Sequence, residues 1–180
     1  MIEEINKANI LIEAIPYIKT FQKKIFVVKY GGRAMIDKEL KKNIIHDITL
    51  LKLLGINVVV VHGGGPKINE KLQKLNIKPK FIDGLRVTDA DTIEVVEMVL
   101  TGQLNQEIVN ALNRHGVLAA GLSGKDGNLI IAEKIKARDP SKDLGIVGNV
   151  KKINRQILDV FLEKDIVPVS AKEGIGIKEL

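Results

Sequence analysis

Cysteine and tryptophan are both absent from this chain of 180 residues, and aromatic residues make up only 3% of it. Without cysteine the chain cannot form a disulfide, a thiolate nucleophile or a cysteine-bound zinc site. With so few aromatic rings it has little surface on which to stack bases, as single-strand and RNA-binding modules do. These absences argue against a disulfide scaffold, a thiol enzyme and a nucleic-acid binder.

Long apolar runs are also lacking, and no stretch approaches the roughly 20 residues that a helix needs to cross a bilayer. The first residues, Met1-Ile-Glu-Glu-Ile5, have neither the cationic start nor the apolar stretch of a secretory signal. Lys and Arg number 28 against 22 Asp and Glu, and this net charge of +6 favours anionic ligands without marking a nucleic-acid binder. We therefore predict a protein of the cytoplasm, or of the plastid stroma if organellar, with no membrane or nucleic-acid partner.

The apolar pattern that is present predicts an α/β protein with a mainly parallel sheet. Hydrophobic residues are 45% of the chain, which is typical of a globular domain. Two β-rich runs, Ile25–Tyr30 and residues 57–61, each lead into glycines, and a helical stripe over residues 40–54 separates them. Strand, helix, strand and helix in this order are typical of parallel strands joined by right-handed crossovers.

Two local signals flank this unit. Apolar residues at helical spacing predict an amphipathic helix over residues 3–21 that ends near Pro16. The pair Asp83-Gly84, between short apolar arms, predicts a β-hairpin over residues 80–87.

The second half of the chain predicts further helices and strands. Thr88 or Asp89 can cap a helix that is either one long element or a pair broken at Gly102. Pro168 would suit a sheet edge or a strand end. The remaining predicted elements are strands over residues 117–122, 128–135, 145–151 and 166–169 and helices over residues 68–75 and 156–162.

Glycine turns follow the first two predicted strands. Glycine lets backbone amides close around an anion without a Cβ clash, and the N-terminus of the next helix adds partial positive charge, so Gly63-Gly-Gly65 is interpreted as an anion nest. The alternative is a flexible connecting turn. The segment Lys29-Tyr-Gly-Gly32 likewise places glycines directly after a strand. Lys29 is near the carboxyl end of that strand, where open α/β sheets bind ligands. We predict one anion-binding crevice between the two turns.

Arg86, just past the predicted hairpin turn, could clamp a carboxylate with two parallel hydrogen bonds, or could be a solvated surface arginine. Residues 121–126 resemble a phosphate-binding P-loop only superficially and are predicted as a strand-end turn. Residues 63–68 offer two glycines of the dinucleotide-binding fingerprint, but Ile68 stands where the third belongs. A dinucleotide-binding α/β protein therefore stays as a weaker alternative.

Other catalytic signatures are missing. His46, His62 and His115 lack metal-ligand spacing with a nearby carboxylate, so we predict no protein-bound zinc or iron. Ser123 and Ser170 lack the glycine-flanked elbow of a serine hydrolase. Neither metal-dependent nor serine hydrolysis is predicted.

Taken in order, five motifs resemble the N-acetylglutamate kinases of the amino acid kinase family. The resemblance runs from the first helix to about Val169 and implies a three-layer αβα sandwich. In that family the N-terminal half binds the acyl acceptor and the C-terminal half binds ATP, and the reaction converts N-acetyl-L-glutamate to N-acetyl-L-glutamyl 5-phosphate in arginine biosynthesis. The motifs are Lys29-Tyr-Gly-Gly32, Val61-His-Gly-Gly-Gly-Pro66, Asp83-Gly-Leu-Arg-Val-Thr88, Gly121-Leu-Ser-Gly-Lys-Asp-Gly127 and Leu144-Gly-Ile-Val-Gly148.

The resemblance also implies roles for matching residues. Lys29 would neutralise charge on the transferring phosphoryl group, Arg86 would grip a substrate carboxylate, and residues 80–88 would form a lid. ATP would bring its own Mg²⁺, and the first helix would assemble a homo-oligomer, a dimer or a hexamer. The implied phosphate-binding residues are Gly31, Gly32 and Gly63, and the implied substrate-binding residues are Gly64, Gly65 and Arg86.

The end of the chain departs from the family pattern. The family continues with an asparagine-rich segment and an ATP-binding half carrying a second lysine, whereas residues 170–180 leave the pattern. We expect a helix over residues 1–22, an acceptor-binding lobe over residues 23–169 and a divergent tail over residues 170–180, with the ATP-binding half missing. The expected function is therefore a truncated kinase, and the alternative is an inactive N-acetylglutamate-binding or regulatory module.

Overall fold

Helices surround a parallel β-sheet in the computed structural model, which describes residues 2–135, 137, 139 and 141–171. A π-helical turn, Met98–Leu104, joins the fourth helix to the fifth. The helices are α1 (Ile2–Phe21), α2 (Lys38–Leu53), α3 (Gly65–Lys74), α4 (Ala90–Glu97), α5 (Asn105–Arg114) and α6 (Gln156–Glu163). The strands are β1 (Ile25–Tyr30), β2 (Asn57–His62), β3 (Phe81–Ile82), β4 (Leu85–Arg86), β5 (Ala119–Leu122), β6 (Ile130–Lys134), β7 (Gly148–Ile153) and β8 (Val167–Ala171).

The central sheet has four parallel strands in the order β1-β2-β8-β5. Its two middle strands are covered on both faces, which is why they are rich in valine and lack an alternating polar pattern. Val58 and Val60 of β2 and Val167 and Val169 of β8 are all fully buried. The predicted parallel α/β architecture is confirmed.

One of the two predictions about proline is wrong. The helix α1 continues through Pro16 to Phe21, because a proline removes one backbone donor from the ladder and the rest of this helix still pairs. Of the two places predicted for Pro168, a sheet edge or a strand end, the structure has the second, since Pro168 is the second residue of the central strand β8. It is tolerated there because pairing with β2 starts one residue later, at Val169, so the missing N–H falls near the beginning of the strand.

The helix boundaries follow capping chemistry. The side chain of Asp37 accepts hydrogen bonds from the amides of Glu39 (2.9 Å) and Leu40 (3.1 Å) and begins α2. Asp89, one of the two predicted caps, does the same for α4 through the amide of Thr92. Instead of breaking at Gly102, the chain stays helical through the π turn into α5.

The predicted hairpin is present as β3 and β4, which pair Phe81 with Arg86 in an antiparallel register. Asp83 and Gly84 form its turn with φ of +51° and +79°, the geometry that favours an Asp-Gly pair. β6 and β7 form a second antiparallel ribbon. None of the helices in the described ranges is long and apolar enough to cross a membrane. Of the predicted tail, residues 172–180 lie outside the described residues, and β8 runs through Ala171.

Candidate active site

The two glycine turns lie side by side at the carboxyl edge of the sheet. Tyr30, the last residue of β1, pairs with His62, the last residue of β2, so Gly31 and Gly63 leave neighbouring strands together. A Cβ added to Gly31 would lie 4.0 Å from the nitrogen of Gly63. The amide of Gly63 also donates a 3.1 Å hydrogen bond to the carbonyl of Tyr30. The crevice predicted from the two turns therefore has its expected placement.

The glycines of this crevice have different surroundings. A Cβ added to Gly32, Gly63 or Gly65 would meet no atom within 4 Å among the described residues, so these positions border open space. A Cβ on Gly64 would lie 2.5 Å from both Leu100 Cδ2 and Leu104 Cδ1 of the π turn. Gly64 lacks a side chain because the π turn packs against it, whereas its neighbours leave room for a ligand.

Lys29 lies at the edge of the crevice, one residue before the end of β1. Its side chain is exposed, on the strand face that also carries Ile25 and Val27. Within the described part of the chain, Lys29 makes no side-chain hydrogen bond or ion pair. Its ammonium group is therefore available to an anionic ligand.

Arg86 is held in place and is not a solvated surface arginine. Its Nη2 donates a 2.6 Å hydrogen bond to Oδ1 of Asn69, and its guanidinium lies 4.7 Å from the ring centre of Phe81. Its Nη1 is buried and has no hydrogen-bond partner in the described structure. Burial also lowers the pKa of Arg86 from its usual value. A buried donor without an acceptor marks the place where an anionic ligand group would fit.

Asn69 connects Arg86 to the helix that begins at the glycine turn. Asn69 follows Gly65 by four residues in α3, so both lie on one helix face. At a rise of 1.5 Å per residue this separation is about 6 Å along the helix. The residue that holds the guanidinium thus lies about one helical turn from Gly65.

Sequence reasoning missed two buried polar residues beneath the turn, His62 and Asn105. Nδ1 of His62 lies 3.1 Å from the carbonyl oxygen of Gly63, and its Nε2 lies 3.3 Å from Nδ2 of Asn105. Burial lowers the pKa of the His62 imidazole. The position of His62 between a buried strand and a glycine run was a usable signal, whereas nothing local marks Asn105.

The loop after β5 is a structural turn, as predicted. Oδ2 of Asp126 accepts hydrogen bonds from both the amide (2.6 Å) and the hydroxyl (2.9 Å) of Ser123. These bonds occupy the serine hydroxyl within the loop itself.

The sequence profile of the amino acid kinase family matches residues 24–179, which include both glycine turns and the hairpin. This chain belongs to the amino acid kinase family. The predicted resemblance is therefore confirmed.

Several relatives within the amino acid kinase family are acetylglutamate kinases. That of Geobacter metallireducens is 52% identical over 179 residues, covering 96% of this chain and 61% of the relative. That of Thermoanaerobacter pseudethanolicus is 51% identical over 174 residues, covering 97% of this chain and 57% of the relative. The chain therefore spans less than two thirds of the length of these curated relatives. The comparisons favour neither a dinucleotide-binding protein nor a separate regulatory module.

Solved structures agree with the amino acid kinase fold. The protein smu.665 of Streptococcus mutans matches with a TM-score of 0.70 at 29% identity, over 84% of this chain and 61% of that one. N-acetylglutamate synthase of Neisseria gonorrhoeae, in complex with coenzyme A and N-acetyl-glutamate, matches with a TM-score of 0.74 at 24% identity, over 89% of this chain and 36% of that one. At that identity the second match shows the fold alone.

Proposed function

We propose that this chain forms the acceptor-binding part of an N-acetylglutamate kinase, which transfers the γ-phosphoryl group of ATP to the γ-carboxylate of N-acetyl-L-glutamate in arginine biosynthesis. The identity of about half its residues to proteins named acetylglutamate kinase supports this assignment. The structural observation that carries it is the buried, unpartnered Nη1 of Arg86.

Arg86 is suited to hold the α-carboxylate of the acceptor. Asn69 and Phe81 fix the guanidinium but leave it without a counter-charge, since no carboxylate pairs with it among the residues described. An unsatisfied buried donor costs about 1 to 3 kcal/mol, which a bound carboxylate would recover. A charge-assisted bond from a planar guanidinium is also among the stronger protein hydrogen bonds. An acylated dicarboxylic amino acid offers one carboxylate for this clamp and another for phosphorylation.

The remaining residues suit transfer to a carboxylate. A γ-carboxyl group with an ordinary pKa of about 4.3 is already ionised at neutral pH, so the nucleophile needs no general base. The site needs charge neutralisation instead, which Lys29 would supply while Gly31, Gly32 and Gly63 let the phosphates approach the backbone. Gly64 and Gly65 would border the acceptor. Bound ATP with its own Mg²⁺ would supply the phosphoryl group and further positive charge.

We also infer that the chain forms a homo-oligomer, a dimer or a hexamer, through α1. Exposed apolar side chains in this number usually mark a protein interface. Large apolar side chains on α1 that are at least 41% exposed are Ile5, Ile10, Leu11, Ile12, Ile15, Tyr17 and Phe21.

The matched pair Leu11→Glu and Leu75→Glu tests this assembly. Each replaces an exposed leucine by a negatively charged residue, but Leu11 lies on α1 and Leu75 lies at the end of α3. Leu11→Glu should reduce the molar mass measured by light scattering after gel filtration, and Leu75→Glu should not. A wild-type chain that is monomeric at all concentrations would contradict the proposal.

The kinase proposal is tested by ADP release from Mg-ATP with and without N-acetyl-L-glutamate, together with calorimetric binding of the acceptor. Acceptor-dependent release that disappears in Lys29→Ala would show that this chain is a working kinase. Acceptor binding without release would indicate an inactive acceptor-binding lobe, and mixing with a full-length relative would test for co-assembly. Stabilisation by NAD with no binding of N-acetyl-L-glutamate would contradict the proposal.

A further inference from the structure

The side chain of Asn105 contacts three strands of the central sheet, at the last residues of β2 and β5 and at the middle of β8. Its Nδ2 lies 2.7 Å from the carbonyl oxygen of Val169 in β8, 3.4 Å from that of Leu122 in β5 and 3.3 Å from Nε2 of His62 in β2. Asn105 is 2% exposed and His62 is fully buried. Among the described residues, the side-chain NH₂ group of Asn105 has these partners, and the imidazole has Asn105 and the carbonyl oxygen of Gly63.

The hydrogen positions in this group follow from donor and acceptor chemistry. The carbonyl oxygens of Val169 and Leu122 can only accept, so the NH₂ group of Asn105, and not its oxygen, must face them. That NH₂ group has two hydrogens, one for Val169 at 2.7 Å and one shared between the two longer contacts to Leu122 and His62. Because it can only donate, the nearby Nε2 of His62 is an acceptor. The ring proton then belongs on Nδ1, 3.1 Å from the carbonyl oxygen of Gly63. A charged imidazole would place two donors face to face.

The π turn brings Asn105 to this position. The backbone N–H of Asn105 donates a hydrogen bond to the carbonyl oxygen of Leu100, five residues earlier. The wider helical turn that results is often found at functional sites. Gly121 leaves room for the side-chain amide of Asn105, because a Cβ at position 121 would overlap Oδ1 of Asn105. The same turn presses Leu100 and Leu104 against Gly64. The π turn thus supports the glycine nest both directly and through His62.

We propose that His62 is a positioning residue of the glycine nest: with its tautomer fixed by Asn105, its Nδ1–H holds the carbonyl of Gly63 and so sets the direction of the Gly64 amide. A carbonyl held on one side of a peptide plane fixes the N–H on the other side, since the peptide unit is rigid. The effect of His62 on phosphate and acceptor binding rests on the proposed function. The orientation of the glycine turn by His62 does not depend on that function.

The wild-type chain tests the first step by nitrogen-15 NMR of the histidine rings near neutral pH. We expect His62 to be the neutral tautomer with its proton on Nδ1, and to lose this preference in Asn105→Ala. A proton on Nε2, or a charged ring, in the folded wild-type chain would overturn the proposal.

Two near-isosteric variants test the second step. The amide of His62→Asn lies near the position of Nδ1 and can still donate to Gly63, whereas the amide of His62→Gln extends toward Asn105 and leaves Gly63 without a donor. The Gly64 amide resonance should shift in His62→Gln and stay near wild type in His62→Asn. Equal shifts in both variants, or none in either, would overturn the proposal.

Acceptor binding separates this proposal from the kinase proposal. The affinity for N-acetyl-L-glutamate should fall about tenfold in His62→Gln, as expected for one misplaced hydrogen bond, and be largely rescued in His62→Asn. Equal loss in both variants would overturn the positioning role. If the wild-type chain does not bind N-acetyl-L-glutamate while the NMR results stand as expected, the proposed function fails and the orientation of the turn by His62 holds.

Discussion

The backbone N–H of Gly63 donates a hydrogen bond of 3.1 Å to the carbonyl of Tyr30, so the two glycine turns of the crevice are joined where they leave the sheet. This bond occupies the amide of Gly63 itself. Any contribution of Gly63 to anion binding must then come from its lack of a side chain. The amides of Gly64 and Gly65, at the start of α3, are the better candidates for donors.

Alanine at Gly64 and at Gly63 should therefore have opposite effects. Gly64→Ala places a Cβ 2.5 Å from two buried leucine methyl groups and should destabilise the fold by about 1 to 3 kcal/mol, the usual cost of overpacking. Gly63→Ala meets no atom within 4 Å and should change the free energy of unfolding by less than about 0.5 kcal/mol. The added methyl group should instead weaken binding of N-acetyl-L-glutamate.

Urea unfolding and calorimetric titration measure the two effects on the same preparations. Equal destabilisation by both substitutions would contradict the assignment of Gly64 to packing and Gly63 to the ligand side.

The parts of this structure that the sequence predicts are those with local causes. β1 was predicted with its observed bounds because a β-branched run is stopped by glycines, and the hairpin because Asp83-Gly84 suits one turn geometry. The pairing of Asn105 with His62 and Val169 spans 43 and 64 residues of sequence, so no local pattern contains it. The unpartnered Nη1 of Arg86 was equally hidden, since it depends on the placement of Asn69 and Phe81.

A carboxylate at position 69 should compete with the acceptor for Arg86. Asn69→Asp keeps the shape of the side chain but gives the guanidinium a charged partner, so the need for a ligand carboxylate falls. We expect an affinity for N-acetyl-L-glutamate about tenfold lower, with no loss of stability.

Asn76→Asp is the matched control for this substitution. It adds the same charge at an exposed residue just after α3, away from Arg86, and should leave the affinity unchanged. If calorimetry finds the two aspartate variants indistinguishable, Arg86 is not the acceptor clamp.

His62 should make stability depend on pH below about 6.5. Because burial lowers its pKa in the folded state, the unfolded chain takes up the proton first as the pH falls. The contribution of His62 to the free energy of unfolding is therefore fully present above the unfolded pKa of about 6.5. Below that pH the contribution falls, by at most about 1.4 kcal/mol per pH unit.

Urea unfolding of wild type and His62→Gln between pH 5 and about 7.5 measures this dependence. The variant should lose this part of the slope, since glutamine does not titrate. His115→Gln, which leaves His62 intact, should keep it. Parallel curves for wild type and His62→Gln would exclude His62 as the source.

Gly145 should anchor the hairpin that carries Arg86. Thr88, two residues after Arg86, donates its amide to Leu144 (2.9 Å) and accepts from the amide of Ile146 (2.6 Å). Gly145 sits between these bonds with φ of +73°, and a Cβ there would overlap the carbonyl oxygen of Thr88. Gly145→Ala should therefore both strain the backbone and push the hairpin away from its anchor.

Gly116→Ala separates these two effects, because Gly116 has φ of +80° but no atom within 4 Å of its would-be Cβ. Backbone strain alone should cost Gly116→Ala about 1 to 2 kcal/mol in urea unfolding. Gly145→Ala should cost at least about 1 kcal/mol more and should also weaken binding of N-acetyl-L-glutamate, because Arg86 moves with the hairpin. If both variants lose the same free energy of unfolding and Gly145→Ala binds the acceptor as wild type does, Arg86 keeps its place without this anchor. The hairpin would then be held by its contacts to Asn69.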